Sequence, residues 1–371
     1  MDTPELADLC RWARLPGINA HRLLAAYTAG IRSVDEARRA PPSLWLQLGW
    51  PTSTQKALSK QSDPSLEDDL ASIEQHGLQL VAADNPLYPS LLKSIDHAPA
   101  VLFVRGDPGV LARPQLAVIG SRHPTALGER TARDFAFHFA SLGLVVTSGL
   151  ALGIDAAGHR AALVARGKTV AVCACGLDRT YPERHAELAA EITTAGGALV
   201  SEFPPGTPPL ASHFPRRNRL ISGLSLGVLV VEAAARSGSL VTARYAAEQG
   251  REVFAIPGSI HSPLSRGCHQ LLRQGATLVE CADDVLSELK NIQLNQWDGS
   301  TLNPSDPPSE TTPRLDNPSE ILLDALGFEP TSLDALIAST GLSSTSVASL
   351  LLTLELQGRA ASDARGRYFR L

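Results

Sequence analysis

The segment His213–Ser225, HFPRRNRLISGLS, gathers Arg216, Arg217 and Arg219 within four residues and puts Phe214 beside them. A guanidinium is a planar fork of donors matched to phosphate oxygens. An aromatic ring gives a nucleobase a face to stack on, worth ~1–3 kcal/mol per base, so the pair can hold a nucleic-acid strand without bulk positive charge. In a helix starting near Arg216, Arg217 shares one face with Leu220, Ile221 and Leu224 at i, i+3, i+4, i+7 spacing, while Arg216 and Arg219 lie to the side. Arg217 thus continues an apolar stripe outward. There a guanidinium needs a carboxylate, with Glu202 and Glu232 as candidates, or an incoming phosphate. Phe214 and the neighbouring arginines are the residues expected to meet a single strand.

Four further stretches carry anion-binding chemistry: Gly120-Ser121-Arg122, Ser148-Gly149-Leu150, Cys175-Gly176-Leu177-Asp178 and Ser237-Gly238-Ser239. Glycine admits close backbone approach, hydroxyls add donors, and Arg122 supplies a fixed charge. AVIGSRHPTALG lacks the G-x-G-x-x-G spacing of a dinucleotide site. Gly167-Lys168-Thr169 resembles the end of a Walker A loop, but Ala162 stands where its first glycine belongs and the tripeptide leads into a strand. No H-E-x-x-H is present, and Cys268 and His269 diverge if helical, so neither metal nor cofactor is expected.

These stretches sit where apolar β-rich runs end. LAVIG, LVVTSG, TVAVCACG, ALVSE, GVLVVE, EVFAIPG and TLVE alternate with helix-length amphipathic runs, the pattern of a parallel sheet covered on both faces. The expected fold is α/β, a doubly wound, mostly parallel sheet. Ligands of such sheets collect beyond the carboxyl ends of the strands.

The 371 residues carry a formal charge of −5 and are 44% hydrophobic, which excludes a disordered chain and a protein that coats nucleic acid by bulk charge. The start has no basic-then-apolar leader pattern and no apolar run is long enough to span a bilayer, so no membrane partner and a cytoplasmic location are expected. The five scattered cysteines have no C-x-x-C pairing and read as reduced thiols, Cys173 and Cys175 as buried ones. A Ser/Thr/Pro/Asp-rich run marks a linker at 292–318. A softer break at SKQSDPSLEDD gives a helical domain over 1–68, a core over 69–291 and a C-terminal domain over 319–371. The last has the order helix, helix, turn, helix, basic hairpin of a winged helix. Its would-be recognition helix, near Ser344–Gln357, contains no Lys or Arg, so protein contacts or weak backbone binding are expected of it. The Pro-Gly turn of LCRWARLPGINAHRLLAAY joins two helical stretches.

The series AVIGSRHPT, TSGLALGIDAAGHRAAL, CGLDRTYPERH, FPRRNRLISGLS, ARSGSLVTARYAAEQGREVFAIPGS and SRGCHQLLRQGA resembles the DNA-processing protein A family (DprA, or Smf), in order from about Asp84 to Lys290. The resemblance implies an extended Rossmann-like core that binds single-stranded DNA, forms a homodimer and loads the RecA recombinase in natural transformation. It places Arg122 on the family's phosphate-binding arginine, Phe214, Arg217, Asn218 and Arg219 on its F-P-x-R-N-R element, and Ser237, Gly238 and Ser239 on a loop lining the same groove. Ala174 and His269 depart from its pattern, where glycine and often asparagine stand. The N-terminal helices are similar to helix-hairpin or sterile-alpha-motif-like modules. The alternative is a nucleotide-processing enzyme like the phosphoribohydrolases, with Asp155, Asp178 or Glu232 as the acid, but SGSLVTARYAAE stands in place of their P-G-G-x-G-T-x-x-E run.

Overall fold

The computed structural model describes residues 3–60, 65–292, 317–327, 330–363 and 365–371. The chain divides into two compact units, 1–123 with 132–303 and 124–131 with 304–371. The linker expected over 292–318 lies almost wholly outside the described residues.

Six helices open the larger unit: α1 (Thr3–Arg14), α2 (Ala20–Thr28), α3 (Val34–Arg39), α4 (Pro42–Gln47), α5 (Thr52–Leu58) and α6 (Leu66–His76). Trp12 is fully buried and meets Tyr27 and Trp50 edge-on at 6.4 and 6.1 Å. The same apolar cluster runs on to Leu80 and Phe103 in the sheet, so the break expected near residue 68 is not a break in the core. Pro16-Gly17 is an internal turn whose carbonyls accept from Thr54 Oγ1 and Arg22 Nη1. A Cβ on Gly17, at φ +80°, would lie 2.6 Å from Pro51.

The sheet has nine strands: β1 (Gln79–Ala82), β2 (Val101–Gly106), β3 (Gln115–Ile119), β4 (Val145–Ser148), β5 (Thr169–Val172), β6 (Ala198–Ser201), β7 (Gly227–Val230), β8 (Glu252–Ala255) and β9 (Thr277–Leu278). Their order is β1-β2-β6-β5-β4-β3-β7-β8-β9. The seven strands from β6 to β9 are parallel, and β1 and β2 add antiparallel at one edge. Strands β3 to β7 are buried along their whole length because both faces are covered. Short α7 (Ser90–Lys93) joins β1 to β2; α8 (Ala126–Ser141), α9 (Ile154–Val164) and α10 (Ala186–Thr194) follow β3, β4 and β5. Next come α11 (His213–Leu224), α12 (Ser239–Glu248), α13 (Arg266–Arg273) and α14 (Ala282–Ile292). Alternate residues of β3 serve opposite layers, Leu116 and Val118 packing with Phe135 and Phe139 of α8, Ala117 and Ile119 with Leu220, Ile221 and Leu224 of α11.

The chain enters at β3, steps outward through β4, β5 and β6, then returns along α11 to β7 on the other side of β3. That reversal makes β3 and β7 the switch point of the sheet, where doubly wound folds hold ligands.

The smaller unit packs α15 (Asn317–Ala325), α16 (Leu333–Thr340) and α17 (Ser344–Leu356) around Leu322, Leu336, Val347, Leu351 and Leu354, then adds the hairpin of β10 (Ala360–Ser362) and β11 (Tyr368–Arg370). Ser332 and Ser343 cap α16 and α17 by accepting the amides of Ala335 and Ser346. This is a winged helix. In its wing, Arg367 is tied to Asp363. Among the described residues no single helix is long and apolar enough to cross a membrane.

Candidate nucleic-acid interface

Helix α11 begins at His213, three residues before the start expected from the arginine spacing. The earlier start places Phe214 one turn above Arg217 on the same face. The Phe214 ring is half-buried, not in the core. It meets Tyr181 at 5.6 Å between centroids and 62° between planes, and the Arg122 guanidinium lies 5.8 Å from its centre. Arg122 is exposed and makes no hydrogen bond or ion pair among the described residues. Tyr181, 49% exposed, is a ring that the sequence reading left unassigned, although it lies within CGLDRTYPERH. Its signal was an aromatic a few residues beyond the carboxyl end of a parallel strand.

Arg217 lies beneath this surface, only 4% exposed, and its Nε and Nη1 are buried without a hydrogen-bond partner. It does not pair with Glu202 or Glu232. Burial pushes its pKa below the ordinary arginine value, opposed by the Asp155 carboxylate. Gly149 explains how the guanidinium fits, since a Cβ there would fall 1.7 Å from Nη1. Asp155 is buried at the first turn of α9 and accepts the amides of Gly149 at 3.0 Å and Ala151 at 3.3 Å. Burial raises its pKa, while Arg217 and the two amides pull it back. Leu150, at φ +57°, is held between these amides, and its carbonyl accepts His185 Nδ1–H at 2.9 Å.

The remaining turns are stitched together. Ser239 Oγ donates to the Gly120 carbonyl at 2.8 Å and Ser237 Oγ lies 2.9 Å from Ser239 Oγ, which fixes the turn after β7 against the turn after β3. Asn218 Nδ2 reaches the Gly238 carbonyl at 3.5 Å. Gly238 has open space where a Cβ would stand, whereas a Cβ on Gly120 would press on Ile154 at 2.7 Å. Ser121 is buried and its Oγ accepts the His123 amide, so it shapes the turn that carries Arg122.

Three of the expected contacts are corrected by this geometry. Ser148 is fully buried with its hydroxyl donated to the Val118 carbonyl, and the Gly149 amide is committed to Asp155, so neither offers a donor to a ligand. Arg219, roughly 200° round the helix from Arg217, donates to Glu202 at 2.6 Å, as Arg216 does at 2.7 Å. Glu202 is buried and takes both cations, leaving Arg219 facing away from Phe214. Spacing alone could not tell which of three neighbouring arginines the carboxylate would take.

Several other residues singled out in the sequence have partners of their own or are buried. Asp178 pairs with Arg179 and accepts the Gly206 amide. His269 donates from Nε2 to the Gly258 carbonyl. Cys173 and Cys175 are buried, as expected, and burial pushes their thiols up to about 12 and about 11.

Residues 79–290 match the family model described as DNA recombination-mediator protein A, and residues 306–364 the DprA winged helix domain. The chain is 47% identical over 307 residues to Protein Smf of Escherichia coli, covering 83% of this chain and 81% of that one. Among solved structures it is similar to DNA processing protein A of Streptococcus pneumoniae, with a TM-score of 0.63 and 34% identity over 77% of this chain and 98% of the other. It is also similar to DNA processing protein A of Helicobacter pylori, a structure described for its single-stranded DNA binding mode, with a TM-score of 0.52 and 29% identity over 57% of this chain and 96% of that one.

Proposed function

The chain belongs to the DNA recombination-mediator protein A family, and from that premise we propose that it binds single-stranded DNA and hands it to the RecA recombinase in transformation and homologous recombination. It acts in the cytoplasm as a homodimer and catalyses no reaction. One observation carries the reading: two partly exposed rings, Phe214 and Tyr181, meet edge-on, and Phe214 stands against the uncommitted guanidinium of Arg122 beside the switch point of the sheet. Rings stack bases of any sequence and Arg122 takes a backbone phosphate. Asn218 and the Ser237–Ser239 turn, whose Gly238 leaves the backbone open, line the next part of the groove. Arg217 contributes from below, its charge raising the potential of the floor without touching the strand through Nε or Nη1.

The phosphoribohydrolase alternative has less support. Asp155 is buried and spent on backbone amides, and Asp178 is spent on Arg179 and Gly206, so neither stands free to meet a ribose.

Anisotropy titration of single and double strands over a salt series tests the proposal. Phe214→Ala should weaken single-strand binding by ~1–3 kcal/mol, about one stacked base. Arg122→Ala should lower the slope of log affinity against log salt by ~0.7, one phosphate's share. Undiminished binding by both variants defeats the groove. A second expectation concerns the winged helix, whose α17 carries no cation and whose wing Arg367 is tied to Asp363. Deleting residues 310–371 should leave single-strand affinity within a few-fold; a loss of orders of magnitude would move the binding site.

A further inference from the structure

The carboxyl edge of the sheet holds one more cation suited to phosphate. Arg236 lies in the turn after β7, exposed, with no hydrogen bond or ion pair among the described residues. It directly precedes Ser237, and the Ser237–Ser239 turn is pinned to Gly120 through Ser239 Oγ and to α11 through Asn218. Strands β3 and β7 are hydrogen-bonded neighbours with Ile119 opposite Val230. Arg122 and Arg236 therefore leave the two sides of the switch point on turns bonded to each other.

The rings stand on the other side. Tyr181 follows β5, and β5, β4, β3 and β7 are successive neighbours, so three spacings, roughly 14 Å, separate the strand that leads to Tyr181 from the strand that leads to Arg236. Helix α11 spans this interval, with Phe214 against Tyr181 and Arg122, and Asn218, about 6 Å further along the axis, against Gly238. We propose that Arg236 is a second phosphate-binding residue, so that the bound strand crosses the carboxyl edge of the sheet from the rings at Tyr181 and Phe214, past Arg122, to Arg236. The inference rests on the single-strand reading above and extends it to a residue and a direction. A polynucleotide fits this arrangement better than a mononucleotide, because Arg122 and Arg236 stand on separate turns with the rings to one side of both.

The test is the salt dependence of affinity for a labelled oligothymidylate, measured on the full chain carrying Arg236→Ala, Arg122→Ala, both together, or Arg244→Ala. Arg244 is an exposed arginine paired with Glu248 and serves as the control for loss of net charge. Arg236→Ala should flatten the slope by ~0.7, and the double variant by ~1.4, while Arg244→Ala keeps the parent slope. Arg236→Glu should weaken binding further at low salt. Because Arg236 is exposed, its variants should melt with the parent, which separates a binding effect from a folding one. If Arg122→Ala flattens the slope and Arg236→Ala does not, the second contact is overturned and the groove stands. If neither changes the slope, the groove falls and takes this inference with it.

Discussion

Arg217→Ala should cost about 3–5 kcal/mol of stability, read as a lower urea midpoint, because it leaves the Asp155 carboxylate buried without its compensating cation. The Gly149→Ala variant should cost less, about 1–3 kcal/mol, by overpacking. Its methyl would fall 1.7 Å from Arg217 Nη1, and the guanidinium is too deeply enclosed to step aside freely. The informative variant is the double one. Once the arginine is gone the methyl at 149 has nothing to strike, so Gly149→Ala in the Arg217→Ala background should add almost nothing. A large coupling of this kind belongs to residues in direct contact, and simple additivity would show that the glycine is not there to admit the guanidinium. Both single variants should also weaken single-strand binding, since α11 carries Phe214 one turn from the disturbed residue.

The architecture was legible because its signals are local. Every strand from β3 to β9 stands in the sequence as an apolar run, and most are followed by a helix-length amphipathic stretch, which is what burial on both faces demands. The edge pair β1 and β2 was not separated out, for an equally local reason: only a 3-10 turn, Pro108–Ala112, joins β2 to β3, so the alternation is missing there. The apolar stripe through Leu220, Ile221 and Leu224 also identified α11 and the burial of Arg217. Charge partners were less readable. Glu202 was a candidate for Arg217 and instead holds Arg216 and Arg219, a choice made by the rotation of α11 against β6, which no spacing rule reports. The same holds for Ser148. A Gly-Ser turn offers donors in the abstract, but this hydroxyl sits below the rim and is taken by the neighbouring strand's Val118 carbonyl. Tyr181 became a site residue only when α11 brought Phe214 to it across the sheet.

Between pH 6.5 and about 3 the protein should lose stability steeply through one buried side chain, His159. It is fully buried on α9, with Nδ1 2.6 Å from Thr169 Oγ1. That hydroxyl donates to the Val146 carbonyl, so Nδ1 carries the proton and donates to Thr169, which leaves Nε2 as a bare acceptor. Nε2 is buried and has no partner. Protonating it would create a cation with no acceptor, and burial, followed by the charges of His185, Arg217 and Arg160, lowers the pKa from 6.5 to about 3. A depressed folded-state value means that the unfolded chain takes up the proton first. The contribution is therefore present above pH 6.5 and disappears as pH falls through the folded value, ~1.4 kcal/mol per unit over that window. Asp155 acts in the opposite sense, its raised carboxyl favouring the folded state below its ordinary value of 3.8 and losing that contribution as pH rises through the folded value. Comparing the parent with His159→Asn at each pH isolates the histidine. The amide nitrogen can replace Nδ1 toward Thr169, so the variant should be less stable than the parent at pH 8, by the cavity left where Nε2 stood, and should close that gap or overtake the parent near pH 4. Parallel stability profiles from pH 8 to pH 4 would mean that the imidazole takes up its proton alike in the folded and the unfolded chain, so that burial does not hold it neutral.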